Sequence, residues 1–192
     1  MTSSSADTCR AATVRAMTQP DLELPQPVRR VIAAAVAEER PTLEAFLDFY
    51  RDTVTRKVRG VSEEDARRRL VPSATTLGGI VKHLRLVELN WFERILAQIP
   101  DSALPPVSWD DPDAGFRMAA GETVDQLIAD YDRQCERSRQ IAARHELADT
   151  SPHREIGEVS LRWIYVHMID ETARHAGHAD ILREQIDGTT GS

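Results

Sequence analysis

Cysteine is almost missing from this chain: only Cys9 and Cys135 occur among 192 residues, and neither sits in a CxxC pair. That excludes a disulfide framework, a thiolate zinc knuckle and a dithiol redox centre, and both residues are expected to be free thiols in a reducing cytoplasm. Long apolar runs are missing too. No stretch approaches the roughly 18 residues that a membrane span requires, so a soluble protein without membrane attachment is expected. Basic charge is in deficit, with 24 Lys and Arg against 31 Asp and Glu for a net charge of −7. Basic residues scattered among acids do not make a phosphate-tracking surface, which argues against nucleic acid as a partner. Runs of β-branched residues with a period of two are absent, so no strands are expected. Also absent are GxSxG, the P-loop, GxGxxG, HExxH, and the ExxH pattern on two helices that a di-iron bundle needs.

What remains is an ordinary globular composition, 41% hydrophobic and 29% charged, of a size that fits one domain. Met1 to Gln19 is rich in Ser, Thr and Ala and lacks the apolar core of a secretory signal. Residues 1–27 are expected to be a disordered tail, with Met17 as an alternative natural start, and residues 28–192 a single helical domain. VRRVIAAAVAEER predicts a short helix that stops before Pro41. The first long helix is expected from Thr42 to Arg59, with Leu43, Phe46, Leu47, Tyr50, Val54 and Val58 at spacings of three and four, ending at Gly60. Ser62 and Asp65 have the spacing of a cap for the short piece SEEDARRRL.

The second long helix is expected from Thr76 to Gln98, where Leu77, Ile80, Leu84, Val87, Trp91 and Ile95 form a buried stripe with His83 on its flank. IPDSALPPVSWDDPDAGF predicts a long crossover loop, and GETVDQLIADYDRQCERSRQIAARH a third long helix. ELADTSPHREIGEVS predicts another loop, before a fourth helix capped by Ser160 and stopped near Gly188. Trp91 and Trp163 are expected in the core. Four long amphipathic helices imply an all-α bundle.

The fourth helix carries HMIDETARHAGH over residues 167–178. With His167 at zero, Glu171 falls at about 40°, His175 at about 80° and His178 at about 20° around the helix axis. Leu161, Ile164, Met168, Leu182 and Ile186 share that side, so the polar residues are interleaved with the apolar stripe and point inward. Burying a carboxylate and several imidazoles costs several kcal/mol unless each finds a partner, about 1–3 kcal/mol for each group left unmatched. A divalent metal satisfies them together, and Glu171 with His175 has the i, i+4 spacing at which two helical side chains chelate one ion. A third ligand must come from another helix. His83 is the histidine on another helix that lies near a buried stripe, since His145 and His153 flank a loop. Imidazole ligands suit zinc or nickel.

The stretches TTLGGIVKHLRLVELNWFERIL and HMIDETARHAGHADILREQIDG resemble those of the DinB/YfiT-like superfamily of metalloenzymes, in particular its mini-circle protein branch. The resemblance covers roughly Thr42 to Gly188. It implies an antiparallel four-helix bundle with a long crossover, and a metal triad of one histidine from the second helix and two residues four apart on the last. Those positions are His83, Glu171 and His175 here. Many members have histidine at the Glu171 position, whereas the mycothiol-dependent maleylpyruvate isomerases are similar in using glutamate. His178 stands where many relatives have glutamine, which leaves it as a group that supports a ligand from behind, a fourth ligand or an acid/base residue, and His167, one turn before Glu171, is a candidate for the same supporting role.

The resemblance also implies chemistry with a low-molecular-weight thiol, bacillithiol, mycothiol or glutathione, and a small-molecule electrophile: an S-transferase or isomerase in detoxification. Two alternatives stay open at this stage, a metal-dependent hydrolase and a noncatalytic bundle that binds a metal or small molecule. Self-association as a homodimer is likewise open.

Overall fold

A computed structural model describes residues 24–106, 111 and 113–190. The expectations for the N-terminal tail, for Cys9 and for Met17 concern residues 1–23 and lie outside the described residues, whereas 24–27 lead into and begin the first helix. The elements run α1 (Gln26–Ala33), α2 (Glu39–Val58), α3 (Glu63–Arg67), α4 (Leu77–Glu88), a π-helical continuation of α4 (Leu89–Leu96), α5 (Val124–Ala142), a hairpin of β1 (Thr150–His153) and β2 (Gly157–Ser160), and α6 (Leu161–Asp187). Among the described residues the fold is all-α apart from that hairpin. Its four long helices pack chiefly as α2 on α6 and α4 on α5, with α4 also meeting α2 and α6.

Local chemistry explains most boundaries. Thr76 Oγ1 accepts from Gly79 N at the start of α4, Thr123 and Gln126 form a reciprocal capping box on α5, and Ser160 Oγ accepts from Trp163 N at the start of α6. Each side-chain oxygen satisfies one of the orphan amide donors of a helix first turn. Gly188, at φ 76°, ends α6 in the left-handed conformation that glycine adopts without steric cost.

Several expectations need correction, among them the short first helix, which ends at Ala33 and not just before Pro41. The first long helix begins at Glu39, not Thr42, because Pro41 lies in its first turn, where the missing N–H would have had no intrahelical acceptor. The segment 150–160 forms a two-stranded antiparallel hairpin with Ser151 opposite Val159; four-residue strands are too short to display the alternation that reveals longer ones. The second long helix changes winding after Glu88. In the π-helical turn Ala97 N donates to Phe92 O, five residues back, and this wider turn shifts the buried face by about one residue. Phe92 and Leu96 are consequently buried, while Val87 and Ile95, which a uniform 3.6 period places on the stripe, are only partly so.

The apolar interior has two clusters. One gathers Val54, Val58, Leu77, Ile80, Leu84, Leu127, Tyr131, Ala179 and Leu182; the other gathers Leu47, Trp91, Phe92, Leu96, Ile141, Leu161, Ile164 and Met168. Along each long helix the change from one cluster to the other is marked by polar residues: Arg51 on α2, Glu88 on α4, Ser138 on α5, and Glu171, Thr172 and His175 on α6. Trp163 does not join the core. It is 41% exposed, on the outer rim of α6, and Phe46 on α2 is exposed at the edge of its stripe.

Candidate metal centre

His83 projects from α4 and Glu171 and His175 from successive turns of α6. Glu171 Oε1 lies 2.9 Å from His83 Nε2 and 3.2 Å from His175 Nε2. One ligand atom from each of the three residues lies within 4.8 Å of the others, forming the metal-capable group found among the described residues. Ligands of a tetrahedral ion with bonds near 2.0–2.1 Å are separated by about 3.3 Å, so Glu171 already stands at ligand-like distances from both imidazoles. The donor set, two imidazole nitrogens and one carboxylate oxygen, suits a divalent metal ion.

Electrostatics agree with the geometry. Hydrogen bonding to His175 and then to His83 outweighs the upward push of burial and holds the Glu171 carboxyl far below the ordinary carboxylate range. The group is therefore ionised and acceptor-only at neutral pH. His175 is buried, and its Nδ1 has no hydrogen-bond partner among the described residues, so this ring is under-satisfied by its protein neighbours.

The rings around the triad are ordered by the crossover. Phe116, in a 3₁₀ turn over Ala114–Phe116, stacks on His83 with ring centroids 4.1 Å apart and planes 13° apart, and approaches His175 at 5.7 Å. This roof can lie so close to α4 because two adjacent helix positions lack a Cβ. A Cβ on Gly79 would stand 2.2 Å from the Phe116 carbonyl oxygen, and one on Gly78 would stand 2.2 Å from Met118 Sδ. Sequence inspection missed Phe116 as a site residue, although the glycine pair in a helix was a visible signal of a close approach.

The other histidines divide. His178 is exposed and meets His175 edge-on at 5.3 Å; burial, His175 and Arg174 keep its pKa below the usual imidazole value. His167 lies against Trp91 at 4.6 Å and stacks on Trp163 with planes 5° apart, and burial lowers its pKa as well. His153 stacks on Trp91 with ring centroids 5.3 Å apart, while its Nδ1 accepts from Glu155 N. His145 pairs weakly with Asp149 at 3.6 Å. Neither His145 nor His153 joins the triad.

A cleft of about 550 Å³ opens beside His83, bounded by Leu86, Trp91, Pro105, Pro106 and Gly115 among others. No helix among the described residues is long and apolar enough to cross a membrane. Cys135 is the free cysteine among the described residues; it is 3% exposed, and burial together with Glu88 pushes its thiol well above the usual range. The chain thus offers no reactive thiolate of its own there.

No curated protein matches the chain. The family model of the mycothiol-S-transferases matches residues 42–188, which include α4, the crossover and α6 with all three triad residues. On that match the chain belongs to the mycothiol-S-transferase family, a DinB/YfiT-like family.

Proposed function

We propose that the protein is a metal-dependent S-transferase that joins mycothiol to a small-molecule electrophile in the cytoplasm, within a single DinB-like antiparallel four-helix domain. The observation that carries this is the meeting of His83, Glu171 and His175, with His83 also lining a cleft, inside the span matched by the family model. His83, Glu171 and His175 would hold the ion, and His167 would support α6 through its ring contacts. A divalent ion so held, zinc or nickel, would supply the positive charge that lowers the pKa of a nearby thiol toward neutrality. Two neutral imidazoles and one carboxylate leave that charge only partly offset.

The chain's own part is to shape and protect. Phe116 covers the His83 ring and keeps water from that face. The buried Cys135 leaves the nucleophile to the cosubstrate. His178, exposed and edge-on to His175, is the group proposed to take the thiol proton to solvent. In the overall reaction a C–S bond forms, the bond from that carbon to its leaving group breaks, the leaving group departs with the electron pair, and the thiol proton passes to solvent.

The test is a conjugation assay on metal-loaded protein with mycothiol, bacillithiol and glutathione against one halogenated aromatic. The expected outcome is a mycothiol-dependent rate that disappears on chelation and returns with metal. Stoichiometric metal without a metal-dependent rate for any of the thiols would overturn the proposal.

A further inference from the structure

The cleft beside His83 lies in the size range of small-molecule pockets. Trp91, Pro105 and Pro106 give it an apolar wall, and four charged side chains reach it: Lys82, Arg85, Arg94 and Asp111. Three of these are already paired. Lys82 Nζ donates to both carboxylate oxygens of Glu122, at 2.9 and 2.8 Å. Arg94 Nε donates to Asp101 Oδ1 at 2.6 Å, and Asp111 accepts from Arg117. Arg85 differs. It is half-buried, makes no hydrogen bond or ion pair among the described residues, and influences Glu122 only through space.

A guanidinium has five N–H donors in a planar fork that matches a carboxylate in two places at once. Leaving all five unused in a partly dehydrated cleft is costly, and a ligand anion recovers that cost. The rest of the molecule does not attract anions, because its net charge is −7. A local cation is therefore what would hold an anionic ligand in this cleft against the overall field.

We infer that the electrophile taken by this cleft carries a carboxylate that seats on Arg85, with its apolar body against Trp91, Pro105 and Pro106 and its reactive carbon toward His83. The word electrophile rests on the thiol-transfer proposal above; the anion site does not.

Two matched aromatic chlorides test it, 4-chloro-3-nitrobenzoate and 4-chloro-3-nitrobenzamide, with mycothiol and zinc-loaded protein. In each, sulfur forms a bond to the chlorinated carbon, the C–Cl bond breaks, chloride leaves with the electron pair and the thiol proton goes to solvent. Comparing the benzoate-to-benzamide ratio of kcat/KM between proteins cancels the compounds' different intrinsic reactivities. Arg85→Met is expected to lower that ratio by about tenfold or more, as for loss of a hydrogen-bonded charge pair. Arg85→Lys, which keeps the charge without the fork, should fall between. Calorimetry with the unreactive 3-nitrobenzoate and 3-nitrobenzamide should show the same selective weakening of the benzoate.

An unchanged ratio in Arg85→Met, together with unchanged nitrobenzoate binding, would overturn the inference. If wild type turns over neither chloride but binds nitrobenzoate through Arg85, the anion site stands and thiol transfer falls. Turnover of both chlorides with no dependence on Arg85 has the opposite meaning. Equal thermal melts of wild type and the two variants are the control for folding.

Discussion

Two polar groups face inward where the two core clusters meet, and they are built on opposite principles. On one side Arg51 Nε and Nη2 donate to Glu88 Oε1 and Oε2 at 2.8 and 2.7 Å, with Glu88 fully buried and Asp48 and Arg139 extending the chain of charges. The two charges match there, and both carboxylate oxygens of Glu88 are taken. On the other side Glu171 serves two imidazoles through one oxygen, His175 retains a buried nitrogen without a partner, and the group borders a cleft. Burial and polarity alone do not distinguish the two. What does is the kind of group left open: beside Arg51 and Glu88 the buried atoms without a hydrogen-bond partner among the described residues are the neutral hydroxyls of Tyr131 and Ser138, whereas the triad leaves a set of metal-capable donors.

The sharpest break of this comparison is Glu88→Leu. It leaves the Arg51 guanidinium charged and buried without its bidentate acceptor, and unfolding in urea is expected to show a loss of about 3–5 kcal/mol. Adding Arg51→Met should restore most of it, because the double variant buries no uncompensated charge. A single variant within 1 kcal/mol of wild type, roughly a surface-substitution effect, would mean that the Arg51 side chain finds other partners.

The opposite behaviour is expected at the triad. His83→Ala and His175→Ala should leave the metal-free protein folded and weaken zinc binding by about 100-fold or more, beyond the 10–100-fold typical of supporting residues. Wild type should also gain roughly 2.7 kcal/mol of stability at a zinc concentration 100 times its dissociation constant, and the variants should gain little. Elemental analysis and melts with and without zinc check both points, with His145→Ala and His153→Ala as controls that keep the metal. Loss of metal in His145→Ala would mean that the third ligand is misplaced.

Gly79→Ala tests how the roof is seated. A helix normally gains from this change, by about 1 kcal/mol. Here the new Cβ would lie 2.2 Å from the Phe116 carbonyl and 2.8 Å from Thr76 Oγ1, and a backbone atom cannot move aside as a side-chain tip can. Overpacking should win, with a net loss of about 1–3 kcal/mol and a displaced Phe116. NMR of the His83 ring protons, shielded by the stacked phenyl in wild type, would report the displacement.

How much of this was legible beforehand depends on whether a feature is periodic. The triad was, since Glu171 and His175 lie four apart on a strongly patterned helix and His83 flanks another stripe. The Arg51–Glu88 pair was legible in principle: each occupies a stripe position on its helix, between Leu47 and Val54 and between Leu84 and Trp91. A charge of each sign at stripe positions of two helices is a pairing signal that was passed over. The π turn after Glu88 left no composition cue, so Val87 and Ile95 were preferred to Phe92 and Leu96. Phe116 was hidden for another reason: it reaches the site from a crossover whose path is set by tertiary contact with Gly78 and Gly79, not by local propensity.

A smaller effect is expected at Asp48. Burial pushes its carboxyl up, but Arg139 and Arg51 more than offset this, so its folded pKa lies below the ordinary value. The sign follows: its contribution is complete above the ordinary carboxylate range near 4 and is lost as pH falls through the lower folded value. Asp48→Asn should therefore cost about 1 kcal/mol at neutral pH, the scale of a partly exposed ion pair, and flatten the acid limb of the stability profile. Urea unfolding between neutral and acid pH checks this.

The finest test of the comparison is at His178, because this residue touches the unfinished group without belonging to it. His178→Gln should leave metal content unchanged, since no triad atom depends on the imidazole for position: the contact with His175 is edge-on, between ring centroids 5.3 Å apart. If the imidazole takes the thiol proton, kcat should fall in weakly buffered solution while KM stays level. Its exposure limits the loss, because solvent and buffer reach the same place, so about tenfold is expected, below the usual 10²–10⁴ for a sequestered general base. Added imidazole should restore the rate in the variant and do little for wild type. A variant that matches wild type at every buffer concentration would reduce His178 to a solvent-facing neighbour of His175, and a variant that loses its metal would make it a fourth ligand.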